Sequence, residues 1–327
     1  MDSILAGKNI LVTGGAGFIG SNLCEALLNI GCFVTCLDNF STGTRYNISP
    51  FLDNKNFKLI DGDIRNIDDC EKATLGIDFV LHHAALGSVP RSIKNPRITN
   101  DVNASGFVNM LVASKENKVK RFIYATSSSV YGDSKLLPKR EDVIGKPMSP
   151  YAVTKHSNEL YASVFSHNYG IETIGLRYFN VFGKRQDPKG EYSAVIPKFI
   201  SKLLSGQSPI IYGDGRTTRD FTFIDNVVQA NILSITTSNK EAINEVFNVA
   251  SGGRYTLIEL VHYLKQYLAK YDEDINDIEV KYQDFRVGDI THSFADITKA
   301  KKILNYTPKY NFQEGLKKAI EWYKENS

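Results

Sequence analysis

Asn9-Ile10-Leu11-Val12-Thr13-Gly14-Gly15-Ala16-Gly17-Phe18-Ile19-Gly20 is the stretch whose reading decides the fold. Ile10, Leu11 and Val12 make a short apolar run suited to a buried strand, and the run enters a turn with glycines at 14, 17 and 20. Phe18, Ile19, Leu23, Leu27 and Leu28 then recur as the apolar face of a helix lying on a sheet. In such a strand-turn-helix unit Gly14 allows the tight turn and Gly17 lets backbone N–H groups approach a pyrophosphate at the helix N-terminus. Gly20 lets the helix lie close to the strand. The spacing is G-x-x-G-x-x-G, one residue longer in the turn than G-x-G-x-x-G. The next apolar run, Phe33 to Leu37, ends at Asp38, about 20 residues on, where a carboxylate accepts ribose hydroxyls. Strand, glycine turn, helix and acid together predict a dinucleotide site, where a glycine-rich turn alone would not.

The rest of the chain is compatible with a large α/β protein. Its 327 residues suffice for two lobes around a full core. A net charge of +3 without a basic block argues against nucleic acid or a membrane surface as partner. Cys24, Cys32, Cys36 and Cys70 show no C-x-x-C spacing, and Cys32 and Cys36 on one strand lie too far apart to bridge. They read as reduced thiols. No apolar run approaches the length of a membrane span, and the N-terminus is expected to run straight into the first strand without a leader, so a cytoplasmic location is expected.

Strand-like and helix-like segments alternate. Ser41 to Asn56 reads as a polar loop that closes over the adenosine half of a cofactor. Phe57 to Ile60 is a third strand, leading to Asp63, either an acceptor for an adenine amino group or a helix N-cap. A helix over Ile67 to Leu75 and a strand over Phe79 to His82 follow, and His83-Ala84-Ala85 offers small residues against which a cofactor can lie. Neither histidine has a carboxylate or cysteine at ligand spacing, so no metal site is expected. A long helix from about Pro96 to Lys118 precedes a fifth strand, Arg121 to Ala125. A helix begins near Ser149, and a sixth strand spans Thr173 to Arg177. Beyond Ala194 the segments become irregular: a helix to about Leu204, strand-like Ile210 to Tyr212, a helix Val227 to Thr236 and a strand Val246 to Val249. Helices Leu257 to Leu268 and Phe312 to Lys324, with strands Ile278 to Tyr282 and Thr291 to Ala295, end the chain. The pattern predicts a doubly wound parallel-sheet α/β Rossmann fold with a smaller α/β substrate-binding lobe. The expected NAD-binding domain is 1–180, rejoined by about 222–250, and the expected second lobe is 181–327.

Polar residues collect at the carboxyl ends of strands five and six, where open α/β sheets bind ligands. Strand five opens into Thr126-Ser127-Ser128-Ser129, and strand six into Tyr178-Phe179-Asn180. Tyr151 and Lys155 are four residues apart, hence on one helix face. A cation about 4 Å from the phenol is worth roughly 4 kcal/mol at an effective dielectric near 20, or about three pKa units. The expectation is a Tyr151 brought near neutral pH as acid/base, with Ser127 sharing the substrate hydroxyl.

These residues carry a resemblance. Thr13 to Gly20, Asp38-Asn39, His83-Ala84-Ala85, Ser127 before Tyr131-Gly132, Tyr151-x-x-x-Lys155, Arg177 to Asn180 and Arg219-Asp220-Phe221 resemble the extended short-chain dehydrogenase/reductases over essentially the full length. Leu86 to Ser92, Arg185-Gln186-Asp187-Pro188 and Arg286 to Ser293 are similar to the UDP-N-acetylglucosamine 4-epimerase branch of the nucleotide-sugar epimerases. The resemblance implies NAD as cofactor. Its contacts would come from Gly14, Gly17, Phe18, Ile19 and Gly20, from Asp38, Asn39, Ser41, Thr42 and Gly43, and from Asp63 and Ile64. Ala84, Ala85 and Asn103, then Tyr151, Lys155 and Tyr178, complete that set. It implies a UDP-sugar substrate whose diphosphate meets Asn180, Arg219 and Arg286. Ala194, Val195 and Tyr212 would border the uracil, and Ser88, Ser127, Ser128, Ser129 and Tyr151 the sugar. Asp289 belongs to the same substrate set, and Ser293 would be a gate beside the C2 substituent. It also implies a homodimer through a four-helix interface, using Val102, Phe107, Val108, Met110 and Leu111 on one helix and Leu160, Tyr161, Val164 and Phe165 on another.

Three activities compete. Reversible 4-epimerisation of a UDP-N-acetylhexosamine, or of its uronic acid, needs only the groups above. A 4,6-dehydratase would need an Asp-Glu pair where Ser128 and Ser129 stand, and a decarboxylase a glutamate at the second place. A redox sensor or scaffold that kept the fold is argued against by the intact Ser127, Tyr151 and Lys155.

Overall fold

The computed structural model describes residues 2–190, 193–284 and 292–326. Its centre is a parallel sheet begun by β1 (Asn9–Thr13), β2 (Phe33–Asp38), β3 (Phe57–Asp61), β4 (Phe79–His82), β5 (Arg121–Ser127) and β6 (Glu172–Tyr178). The short strands β7 (Val181–Phe182), β8 (Ile210–Tyr212), β9 (Thr218–Arg219), β10 (Thr222–Phe223) and β12 (Tyr255–Thr256) lie outside it, and β11 (Glu245–Val249) returns to pair with β6. The sheet order is β11-β6-β5-β4-β1-β2-β3. It reverses between β1 and β4, which are paired in parallel. At such a switch point, connections leave to opposite faces and open a crevice beyond the strand ends.

Helices cover both faces, which is why the central strands are apolar on both sides. They are α1 (Asp2–Leu5), α2 (Phe18–Ile30), α3 (Arg45–Ile48), α4 (Ile67–Thr74), α5 (Val89–Lys94), α6 (Pro96–Asn100), α7 (Gly106–Glu116), α8 (Pro150–Tyr169) and α9 (Val195–Leu204), followed by α10 (Ile224–Thr236), α11 (Leu257–Leu268), α12 (Thr298–Leu304) and α13 (Phe312–Glu325). The pleat sorts the side chains on the two faces of the sheet into different clusters. Ile10, Val12 and Ile123 face one side with Leu23, Leu27 and Val227, while Leu11, Val80 and Phe122 face the other with Phe107, Met110 and Leu111. Neighbouring residues of one strand thus belong to different cores.

Several expectations are corrected. The chain forms α1 before entering β1, with Leu5 buried. Residues 41–56 are not a plain loop: α3 and a 3₁₀ turn at Ser49–Phe51 fold there because Ile48 and Phe51 anchor it in the core. The long helix after Pro96 is interrupted by a π-helical turn, Asp101–Ser105, which rotates the following helix face relative to an uninterrupted one. The strand expected over Ile278 to Tyr282 is β13 (Lys281–Gln283), paired with β8, because Ile278 instead closes a 3₁₀ turn over Glu273–Asp277. Thr291 lies outside the described residues, and His292 and Ala295 make only isolated bridges. On the helices proposed for the dimer interface, Phe107, Met110, Leu111 and Phe165 point into the core, whereas Leu160, Tyr161 and Val164 are exposed.

Candidate active site

The glycine turn fits a dinucleotide by close backbone approach. Gly14 has φ +69°, and a Cβ there would meet the Ala84 amide nitrogen at 2.8 Å; a Cβ on Gly20 would meet the Gly14 carbonyl oxygen at 2.1 Å. Gly17 caps α2 without a side-chain acceptor for the first-turn N–H groups, which leaves them to an anion. Asp38 accepts from the Ala16 N–H at 2.9 Å and the Phe40 N–H at 2.8 Å. Burial pushes its carboxyl up and the two N–H groups oppose that. Asp63 is not an N-cap: Asn66 performs that role for α4, accepting from the Asp68 N–H. Instead Asp63 pairs with Arg65 at 2.6 Å and accepts from Asn39 at 2.8 Å, which holds it down to about 2.

These residues line one cleft of about 380 Å³. Gly14, Gly17, Phe18, Ile19 and Gly20 form its floor, Asp38, Asn39, Ser41, Thr42, Asp63 and Ile64 one end, and Ala84, Ala85, Tyr151, Lys155 and Tyr178 the other. Gly43 and Asn103 are not part of the cleft's lining but touch residues at it. A Cβ on Gly43 would lie 2.7 Å from the Ala16 carbonyl carbon. Asn103, in the π turn, accepts from the Leu86 N–H at 2.7 Å and donates to the Leu86 carbonyl at 3.2 Å. His83, Leu86, Gly87, Val181 and Gln186 also line the cleft and had not been assigned to a ligand. The packing glycines and a carboxylate at the ribose position suit NAD, and Asp38 would repel a 2′-phosphate.

Ser127 ends β5, where its hydroxyl accepts from the Ser129 N–H at 3.1 Å and lies on the same cleft as the Tyr151 phenol, near enough to oppose the rise in its pKa. Tyr151 stands in the first turn of α8, fixed by Pro150 at the helix start and by Ser149, which accepts from the Ala152 N–H at 3.2 Å. One turn on, Lys155 donates to the Ala125 carbonyl at 2.8 Å, and burial lowers its pKa to about 8. A further turn on, Glu159 pairs with Arg177 of β6 at 2.8 Å and accepts from Thr126 at 2.7 Å. This buried ion pair is otherwise hydrogen-bonded, and its loss on one side would leave an uncompensated charge. It clamps α8 to the two strands that carry the site.

The expectation that Lys155 brings Tyr151 near neutrality is not met in the protein alone. Although the phenol borders the cleft, burial raises it above its ordinary value, and only Ser127 opposes the rise. Lys155 has its ammonium turned to Ala125, and at its own pKa of about 8 it is mostly charged at neutral pH.

A second cleft of about 290 Å³ is bordered by Asn180, Ala194, Val195, Tyr212 and Arg219, with Phe199 and Phe221 as apolar walls. Asn180 and Val181 line both clefts, so the two meet at the end of β6. Asn180 sits at φ +36° and donates to the Asp220 carbonyl at 3.0 Å. The other candidates fall elsewhere. Ser88 caps α5, accepting from the Arg91 N–H at 3.1 Å. Ser128 and Ser129 continue the 3₁₀ turn after Ser127, outside the described lining of both clefts. Ser293, 9% exposed, donates its N–H to Thr218 at 3.1 Å and is also outside that lining. Arg286 and Asp289 lie outside the described residues. Among the described residues no cluster of three His, Cys, Asp or Glu is placed to hold a metal ion, and no helix is long and apolar enough to cross a membrane.

Comparison with known proteins agrees with this geometry. The NAD dependent epimerase/dehydratase family model matches residues 10–250. A UDP-N-acetylglucosamine 4-epimerase from Methanobrevibacter ruminantium, solved with UDP-N-acetylmuramic acid, is 40% identical with TM-score 0.90, covering 98% of this chain and 100% of that one. A putative UDP-glucose 4-epimerase of Methanocaldococcus jannaschii is 37% identical over 320 residues, 97% of this chain and 99% of the relative. The UDP-glucuronic acid 4-epimerase of Bacillus cereus, solved with UDP-glucuronic acid and NAD, is 33% identical with TM-score 0.87, covering 98% of this chain and 100% of that one.

Proposed function

Because the chain belongs to the NAD-dependent epimerase/dehydratase family, we propose that it is an NAD-dependent UDP-sugar 4-epimerase, an isomerase acting reversibly on a UDP-N-acetylhexosamine through a transient 4-keto sugar. The observation that carries this reading is the meeting of the two clefts at Asn180, with Ser127, Tyr151 and Lys155 at the inner end of the first. A nucleoside diphosphate in the second cleft has Arg219 for its charge and Asn180 for a hydrogen bond, and its sugar extends toward Tyr151. The nicotinamide, when bound, supplies the hydride acceptor and donor for C4. Tyr151 would take the C4 hydroxyl proton once the positive charge of Lys155 and of the bound, oxidised cofactor offsets the burial that keeps its phenol protonated in the protein alone, and would return it after the sugar turns over, while Ser127 would hold that hydroxyl beside the phenol. Asp38 would hold the adenosine ribose and Lys155 the ribose beside the nicotinamide. Ser128 and Ser129 offer no carboxyl to take a C5 proton or protonate a departing hydroxyl, so elimination has no acid or base there.

The N-acetyl reading is supported by the 40% identity to an enzyme named for UDP-N-acetylglucosamine, and the resemblance would put a small residue, Ser293, beside the C2 substituent. The uronic acid presents the same C4 and is the alternative. Incubating purified protein separately with UDP-GlcNAc, its uronic acid and UDP-Glc, with products resolved by NMR, decides among them. Fastest epimerisation of UDP-GlcNAc is expected, and fastest turnover of the uronic acid would replace the reading.

In the same reading residues 1–180, rejoined by about 222–250, make the NAD domain and the rest of 181–327 the UDP-sugar lobe, and two copies pair. The face for pairing is the stripe Val153, Leu160, Tyr161 and Val164 of α8, each 45–58% exposed and spaced as one helix face.

A further inference from the structure

His83 lines the dinucleotide cleft, yet nothing in the mechanism uses it. Its Nε2 is 2.8 Å from the Tyr178 hydroxyl, and the two rings stack with centroids 5.9 Å apart and planes 15° from parallel. Tyr178 lines the same cleft, beside Lys155 and Asn180. The Tyr178 hydroxyl also accepts from Asn231 Nδ2 at 2.9 Å. That amide is not ambiguous: the same nitrogen donates to the Val227 carbonyl at 2.8 Å, an acceptor that tolerates no oxygen there.

With Asn231 donating to the phenol oxygen, the phenol's own proton is available to bond His83. The His83 Nδ1 is buried and meets no hydrogen-bond partner among the described residues. A neutral ring that accepts the phenol's proton at Nε2 carries its own proton on Nδ1. Burial, with the nearby Lys155 charge, pushes His83 down to about 3, so the ring stays neutral across the working range. A second cation beside Lys155 is thereby avoided.

Building on the epimerase reading, we propose that His83 is a positioning residue: as a neutral acceptor it fixes the Tyr178 phenol, and with it the wall against which the reactive end of the dinucleotide lies. Asn231 and His83 hold the phenol from both sides, so the ring presents one orientation to the cleft. Pre-set walls of this kind count because small displacements of reacting groups carry large rate costs.

The test is a double-mutant cycle on the purified holoenzyme, with His83→Phe, which keeps a stacked ring and removes the acceptor, and Tyr178→Phe. The readouts are dinucleotide retained through purification, its release rate on dilution, and kcat and KM for UDP-GlcNAc. Each single variant is expected to speed release and lower kcat by about tenfold, the equivalent of 1.36 kcal/mol, with KM little changed. The double variant is expected to be no worse than either single one. His83→Gln, whose amide oxygen can accept from the phenol, is expected to recover most of the loss and serves if His83→Phe folds poorly. Wild-type release and kcat in His83→Phe, independent multiplication of the two effects, or no recovery in His83→Gln would overturn the proposal. Retention reads His83 without any sugar, so a wild-type protein inert on every UDP-sugar would refute the epimerase reading and leave this result standing.

Discussion

Gly20→Ala adds one methyl group at the point where α2 crosses the glycine turn. The new Cβ would stand 2.1 Å from the Gly14 carbonyl oxygen and 2.7 Å from both the Gly14 carbonyl carbon and the Gly15 Cα, against roughly 3.5 Å for relaxed carbon contacts. All three obstacles are backbone, so no side chain can swing aside. The helix start must lift from β1 by about 1 Å, an overpacking cost of about 1–3 kcal/mol. At roughly 2–4 °C per kcal/mol for chains of a couple of hundred residues, Tm should fall by several degrees. Because the lift moves Gly14 and Gly17 of the cleft floor, dinucleotide retention should fall as well. Differential scanning fluorimetry and an enzymatic assay of nucleotide released on denaturation measure the two effects. Gly87→Ala is the control: it lies on the same cleft with open space around its Cβ position, and its Tm should stay level or rise, a gain of about 0.4–1 kcal/mol at most. A Gly20→Ala protein with wild-type Tm and full occupancy would refute the packing argument.

Tyr151→Phe should lower kcat by about 10²–10⁴-fold, the usual contribution of a positioned acid/base, with UDP-sugar KM little changed; wild-type turnover would show that the base is another group. Ser293→Tyr should cost UDP-GlcNAc and UDP-GalNAc at least about tenfold in turnover while UDP-Glc and UDP-Gal survive. Equal loss on both classes would mean a damaged site, and no loss on either would mean that Ser293 is not the gate. Asp220 is fully buried, accepting from the Ser251 N–H at 3.1 Å and the Ala295 N–H at 3.4 Å, and burial raises it from 3.8 to about 7. A raised folded-state value means that the folded chain holds the extra proton between the two values. Its contribution to stability is therefore fully present below about pH 4 and lost as pH rises through 7. The Tm advantage of wild type over Asp220→Asn should narrow across that window; parallel Tm curves would contradict it.

What the sequence disclosed was local. The strand, glycine turn, helix and Asp38 all fall within residues 9–38, so one pattern carries them, and Tyr151 and Lys155 share a face by helical spacing alone. What stayed hidden depends on distant partners. Gly14 needs to be glycine because Ala84 lies against it, and Thr13 meets His82 across paired strands at 2.9 Å. Glu159 finds Arg177, and His83 finds Tyr178, only once β4, β5 and β6 lie side by side. The Tyr151 ionisation was misjudged because spacing gives no burial: the helix face that brings Lys155 near also removes the phenol from water. Residues 41–56 read as a loop by composition, yet two buried anchors, Ile48 and Phe51, outweigh their mostly polar neighbours.

The central claim is inversion at C4 with no net loss or exchange elsewhere on the sugar. Proton NMR of UDP-GlcNAc incubated with the purified protein in D₂O tests it most directly. The account predicts that UDP-GalNAc appears, with protium kept at both C4 and C5 of each epimer. Solvent deuterium at C5, a 6-deoxy product, or an unchanged substrate would contradict it.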